Sequence, residues 1–159
     1  MNRTILILAT LTVATPAWSR PARTGAVESI SYEAGPCFGA CPIFRVTVRS
    51  DGTATFEGVN FTAVRGVRRF RVTPGQYRAF ANHLAPVRPA RGSIEHNGER
   101  CRSMATDMPS ATVTWTGRRG RQRFHLYYGC DMERNRALAE RLSRAPRLLP
   151  IGDFIGPRR

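Results

Sequence analysis

Ile43-Phe44-Arg45-Val46-Thr47-Val48-Arg49-Ser50-Asp51-Gly52-Thr53-Ala54-Thr55-Phe56-Glu57 is the stretch from which the fold is read. Phe44, Val46 and Val48 alternate with Arg45, Thr47 and Arg49, the period of two expected of a strand with one dry and one wet face. Ser50-Asp51-Gly52-Thr53 then breaks the pattern, and Asp-Gly accepts the positive φ of a tight hairpin turn. The return strand sets Ala54 and Phe56 against Thr55 and Glu57. An antiparallel hairpin is therefore the basic unit.

Working outward, Val27 to Glu33 reads as a first strand, and 67–72 as another with Phe70 and Val72 inward. A helix follows. Thr73 caps it, Pro74 suits its first position, and Gln76 completes a Thr-x-x-Gln capping box. Tyr77, Phe80, Ala81 and Leu84 form one apolar stripe, and Pro86 ends the helix. Residues 86–110 are polar and rich in Pro and Gly, and read as a long ordered loop. The second half is a shorter version of the first. Ala111, Val113 and Trp115 alternate with Thr112, Thr114 and Thr116, Gly117-Arg118-Arg119-Gly120 turns, and Phe124, Leu126 and Tyr128 line the return strand. Asp131 is placed to cap a second helix carrying Leu138, Leu142 and Ala145 inward until Pro146. Strands then helix, twice, predicts an α+β fold: an antiparallel sheet of hairpins with two helices packed on one face. No internal repeat is exact.

The chain has 159 residues, 42% hydrophobic and 23% charged, with a net charge of +14. All 25 basic residues are arginine, which points to coding bias as much as to arginine chemistry. Residues 1–19 read as a signal peptide: Arg3, the apolar run Ile5 to Ala14, and a small-x-small site at Ala17-Trp18-Ser19. The run is too short for a retained membrane helix, no cysteine is available for lipid attachment, and no transmembrane segment is expected elsewhere. Residues 20–26 read as a flexible entry segment and 27–155 as a single disulfide-stabilised domain, exported to the periplasm or beyond.

Export changes the reading of Cys37, Cys41, Cys101 and Cys130: four cysteines in an oxidising compartment imply two disulfides, with three connectivities open. His96-x4-Cys101 and His125-x4-Cys130 offer a zinc alternative, but the spacing departs from common finger patterns. No metal or cofactor is expected. His83, His96 and His125 form no evident nucleophile–base set, Asp107 reads as an Asx-turn residue, and neither a nucleophile elbow nor a phosphate-binding loop is present. Two arginine clusters remain as anion-binding candidates: Arg65, Arg68, Arg69 and Arg71 near one strand, and Arg118, Arg119, Arg121 and Arg123 around a hairpin tip. If the hairpins are neighbours, the clusters form one patch able to grip phosphate or carboxylate bidentately. Export disfavours nucleic acid and favours anionic envelope polymers or lipid head groups as partners. Oligomeric state is left open.

Gly35-Pro36-Cys37-Phe38-Gly39-Ala40-Cys41-Pro42-Ile43-Phe44 is the most distinctive motif. Together with Asp51-Gly52, Phe56-Glu57-Gly58, Thr106-Asp107-Met108-Pro109 and Tyr128-Gly129-Cys130, it resembles the bacterial family known only as domain of unknown function 6438, over roughly 27–155. The resemblance implies an envelope location and supplies no activity. Loop geometry and the resemblance together favour pairing Cys37 with Cys41 and Cys101 with Cys130. The short bridge would fix the segment entering the strand, with Gly39 allowing the turn and Pro36 and Pro42 stiffening its ends. The expected function is a non-catalytic binding or structural module of the bacterial envelope. The alternative is a thiol-redox protein using Cys37 and Cys41, although C-x3-C is not the thioredoxin-like spacing.

Overall fold

The computed structural model describes residues 28–118 and 120–157, so the signal-peptide and entry-segment readings at 1–26, and Arg119, lie outside the described residues. Among the described residues seven strands form one sheet: β1 (Ser29–Ala34), β2 (Ile43–Arg49), β3 (Thr53–Asn60), β4 (Gly66–Arg71), β5 (Gly92–His96), β6 (Ser110–Gly117) and β7 (Gly120–Tyr127). In the same described residues the α-helices are α1 (Pro74–Leu84), α2 (Arg136–Arg144) and the short α3 (Gly152–Ile155). The strand order is β4-β3-β2-β1-β6-β7-β5, and every pairing is antiparallel except β5 with β7. The α+β reading is therefore correct at the level of class.

The β2–β3 turn forms as its residues dictate. Asp51 Oδ1 accepts from the Thr53 N–H at 2.9 Å and the Thr53 hydroxyl at 2.6 Å, while Gly52 takes φ 82°. A side chain at Gly52 would face both that φ and the Val72 carbonyl 2.9 Å away. Strand β1 then joins the two hairpins, with Ile30 in register with Val48 on one side and Trp115 on the other. Ile30, Val46, Phe56, Val113, Trp115 and Leu126 are buried in one core with Phe80 and Leu84 of α1 and Leu142 of α2. Burying side chains of this size stabilises by about 1.5–3 kcal/mol each.

Helix α1 starts with the expected reciprocal cap: Thr73 Oγ1 accepts from the Gln76 N–H, and Gln76 Oε1 accepts from the Thr73 N–H. His83 ties α1 to α2. Its Nε2 lies 2.8 Å from the Arg141 carbonyl oxygen, which can only accept, so this nitrogen carries the proton; Arg141 returns a bond to the His83 carbonyl. No helix among the described residues is long and apolar enough to cross a membrane.

The structure departs from the sequence reading in particular places. The stretch 86–110 is not all loop: β5 lies within it and pairs in parallel with β7. Strand β5 sits at the sheet edge with Ile94 still 42% exposed, so it never acquired the apolar alternation that marks a buried strand. Asp131 does not cap α2, which begins five residues later after Asn135. Asp131 instead takes φ 43°, and its carboxylate accepts the N–H groups of Arg102 and Ser103, both at 2.9 Å. Those bonds hold its carboxyl below the usual carboxylate range. Asn135 donates its side-chain amide to the Cys130 carbonyl. Phe70 is only partly buried because β4 is the other sheet edge, whereas Val72 just beyond it is buried.

Candidate functional site

β1 ends where β6 begins and β7 ends, because β6 pairs antiparallel with both, and the motif segments meet at that end of the sheet. The Gly35 N–H donates to the Ser110 carbonyl at 2.8 Å, and a Cβ on Gly35 would collide with the Ser110 hydroxyl. One turn on, the Phe38 N–H donates to the Asp107 carbonyl at 3.1 Å. Asp107 has φ 66° and its carboxylate accepts from the Thr106 hydroxyl. It makes no Asx turn, since the residue two positions on is Pro109, which has no N–H to donate. The Tyr128 N–H donates to the Pro109 carbonyl, and the Ala105 N–H to the Gly129 carbonyl. Three motif segments far apart in sequence are thus laced together by main-chain hydrogen bonds.

Both disulfides lie at this end. Cys37 pairs with Cys41 and Cys101 with Cys130, the favoured connectivity. The zinc alternative has lost its two thiolates. Its histidines are otherwise occupied: the His96 ring packs on Phe124, and His125 Nδ1 shares a 2.8 Å hydrogen bond with the Thr112 hydroxyl. Within the short loop Gly39 takes φ 117°, and Phe38 is left 86% exposed, an aromatic ring held out by a closed loop.

On the polar face of the sheet, register places Glu57, Arg45, Glu33, Thr112, His125 and Glu95 in one row across six strands. Arg45 is wedged between two carboxylates, Nε to Glu33 at 3.1 Å and Nη1 to Glu57 at 3.3 Å. The Glu33 hydrogen bond and charge hold its guanidinium above its ordinary pKa. A groove of about 300 Å³ opens beside them, lined by Glu33, Gly35, Pro36, Arg45, Glu57 and Thr112 among others. Thr112 and His125 form the hydroxyl–imidazole pair that the sequence did not suggest, since only strand register brings them together. Burial pushes the His125 imidazole below its ordinary value. The pair does not have the access a nucleophile requires: Thr112 is 8% exposed, and the neighbouring Glu95 carboxylate is engaged by Arg123.

The arginine clusters do not merge. Strands β3, β2 and β1 lie between β4 and the β6–β7 hairpin, a separation of about 19 Å at 4.8 Å per strand. Their surroundings also differ. Arg123 pairs with Glu95 and Arg65 bonds Asn60 Oδ1, while Arg118 and Arg121 are exposed at the hairpin tip. On β4, register puts Arg69 and Arg71 on the polar face beside Thr55 and Thr53, and Arg68 on the opposite face beside Phe56. Arg71 reaches the Asp51 carbonyl at 3.4 Å. Among the described residues no carboxylate lies within ion-pair distance of Arg68, Arg69 or Arg71, whereas Arg49, Arg88, Arg123 and Arg144 each have one and Arg45 has two.

The family described as Domain of unknown function (DUF6438) matches residues 28–146. The chain belongs to this family. The DUF6438 match takes in all seven strands, both disulfides and the whole of α2, and leaves α3 beyond it. It therefore contains the laced motif segments and the β4 arginines alike. No curated protein and no solved structure matches the chain. In this DUF6438 domain Cys37 and Cys41 sit between β1 and β2, not at the start of a helix, so the helix-terminus field that makes thiolates in many redox sites is missing from the pair.

Proposed function

We propose that this protein is an exported, non-catalytic binding module of the bacterial envelope, and that it engages anionic material through β4. One observation carries the reading: Arg68, Arg69 and Arg71 are exposed and lack carboxylate partners among the described residues, while Arg45 and Arg49 of β2 are neutralised by Glu33, Glu57 and Asp51. Guanidinium groups without carboxylate partners on one strand form a ready site for carboxylate or phosphate. The apolar N-terminal run supports export, and two disulfides fit an oxidising compartment. Anionic envelope polymers and lipid head groups are the partner classes this reading names.

The test is salt-dependent co-sedimentation with vesicles of anionic and of zwitterionic lipid, and retention on a carboxylated polysaccharide. Anion-selective binding that weakens with salt and is lost when Arg68, Arg69 and Arg71 are all changed to Ala supports the reading. Binding unchanged in that variant, or no binding to any anionic probe, overturns it. The thiol-redox alternative is checked by intact mass after mild reductant: a folded protein that keeps Cys37–Cys41 closed excludes it.

A further inference from the structure

We infer that the β4 edge accepts an extended acidic polypeptide as an eighth strand of the sheet. The inference rests on β4 as the anion-engaging element and adds the class of partner. Among the described residues strand β4 pairs with β3 alone, in unbroken register from Gly58↔Gly66 to Thr53↔Arg71. Its other side therefore presents a row of main-chain N–H and C=O groups with no strand to meet them. Gly66 to Arg71 contains no proline and no bulge, two of the devices by which edges are usually closed, and Val67 stands 56% exposed.

Charge then selects the occupant. Arginines stand on both faces of the strand, Arg69 and Arg71 on one and Arg68 on the other. An incoming strand with carboxylates would meet opposite charges as cross-strand neighbours, the favourable pairing in a sheet. A second copy paired β4 to β4 would set arginine against arginine, which is unfavourable for the same reason. The opposite edge of the sheet does not supply the acid either, because Glu95 on β5 is already engaged by Arg123. A polysaccharide or a lipid head group can use the guanidinium groups but offers no amide backbone. Only a polypeptide uses both the charges and the edge, as in recognition by strand addition.

The probe is an alternating Glu-Val peptide of about ten residues, labelled for fluorescence anisotropy. Its control has the same charge but carries proline at every third position, which removes backbone donors. Strand addition predicts affinity at least about fivefold higher for the Glu-Val peptide than for the proline control, from several cross-strand pairs acting together. It also predicts loss of that difference when Arg68, Arg69 and Arg71 are changed to Glu, with a gain for an Arg-Val peptide instead. Because the decisive change is in the peptide, the result does not depend on a protein variant folding. Equal binding of the two acidic peptides overturns strand addition and leaves anion binding by β4 standing. No binding of either peptide overturns strand addition, and arginine-independent binding of both overturns both readings. A stable dimer of the free protein whose formation blocks the Glu-Val peptide places a second copy at the edge and also overturns the inference.

Discussion

Cys37–Cys41 joins residues 4 positions apart and Cys101–Cys130 residues 29 apart, yet the Cα separations are 5.8 and 5.3 Å and both bridges lie at one end of the sheet. What differs is what each one closes. The short bridge surrounds Phe38-Gly39-Ala40, all three exposed, and meets the rest of the protein through the Phe38–Asp107 main-chain bond. The long bridge clamps the connection between β5 and β6 onto the exit of β7. There Cys130 is 1% exposed, Met104 pairs with it as an isolated antiparallel bridge, and Asp131 gathers the Arg102 and Ser103 N–H groups. Two bonds of identical chemistry thus do separate jobs. One shapes a surface and the other holds the course of the chain.

The strongest test of this contrast is to remove the long bridge. Cross-linking restricts the unfolded chain more as the closed loop lengthens, so Cys101→Ser with Cys130→Ser should cost about 3.5 kcal/mol. That loss should lower the Tm by roughly 10 °C for a domain of this size. Calorimetry and urea unfolding measure it directly. Cys37→Ser with Cys41→Ser should cost less, about 2 kcal/mol or below, with protease cleavage appearing first between residues 35 and 42. If the short bridge proves the costlier loss, the division of labour is wrong.

The same contrast explains what could be read from the residues. Both hairpins announced themselves, because Phe44, Val46 and Val48, and likewise Ala111, Val113 and Trp115, join the apolar core from one face while threonines and arginines take the other. The α1 cap was equally plain, since it involves only residues three apart. Strand β5 left no such mark because an edge strand buries little. Strand order left none either: nothing local in 27–33 says that β1 inserts between the two hairpins, and that insertion is what parts the arginine clusters and aligns Glu33, Thr112 and His125. Asp131 misled for a related reason. An aspartate before a helix looks like a cap, but here its partners are backbone amides 28 and 29 positions away, fixed by the long disulfide.

That role of Asp131 gives a smaller effect with a definite pH dependence. The Ser103 and Arg102 hydrogen bonds stabilise the ionised carboxylate, so its folded pKa lies below its unfolded one. Such a group contributes stability that is complete above the ordinary carboxylate range, near pH 4, and is lost as pH falls through the lower folded value. Wild type should therefore exceed Asp131→Asn in urea midpoint at neutral pH, and the two should converge on acidification below about pH 4. A difference that stays constant into acid would show that the variant acts through packing, not through the carboxylate charge.

The smallest expected effect is at Phe38. A ring 86% exposed has little apolar area to lose, so Phe38→Ala should change stability by no more than about 0.5 kcal/mol. Its main-chain bond to Asp107 does not depend on the side chain and should survive. The comparison is sharpened by making the same change with the short bridge absent. If the bridge serves only to shape the loop around Phe38, the ring should remain neutral in both backgrounds and the two changes should add within about 0.5 kcal/mol. A clear interaction energy would mean that the freed loop folds Phe38 back onto the groove beside Glu33 and Arg45, and that the disulfide's work is to hold an apolar ring away from the domain's own surface.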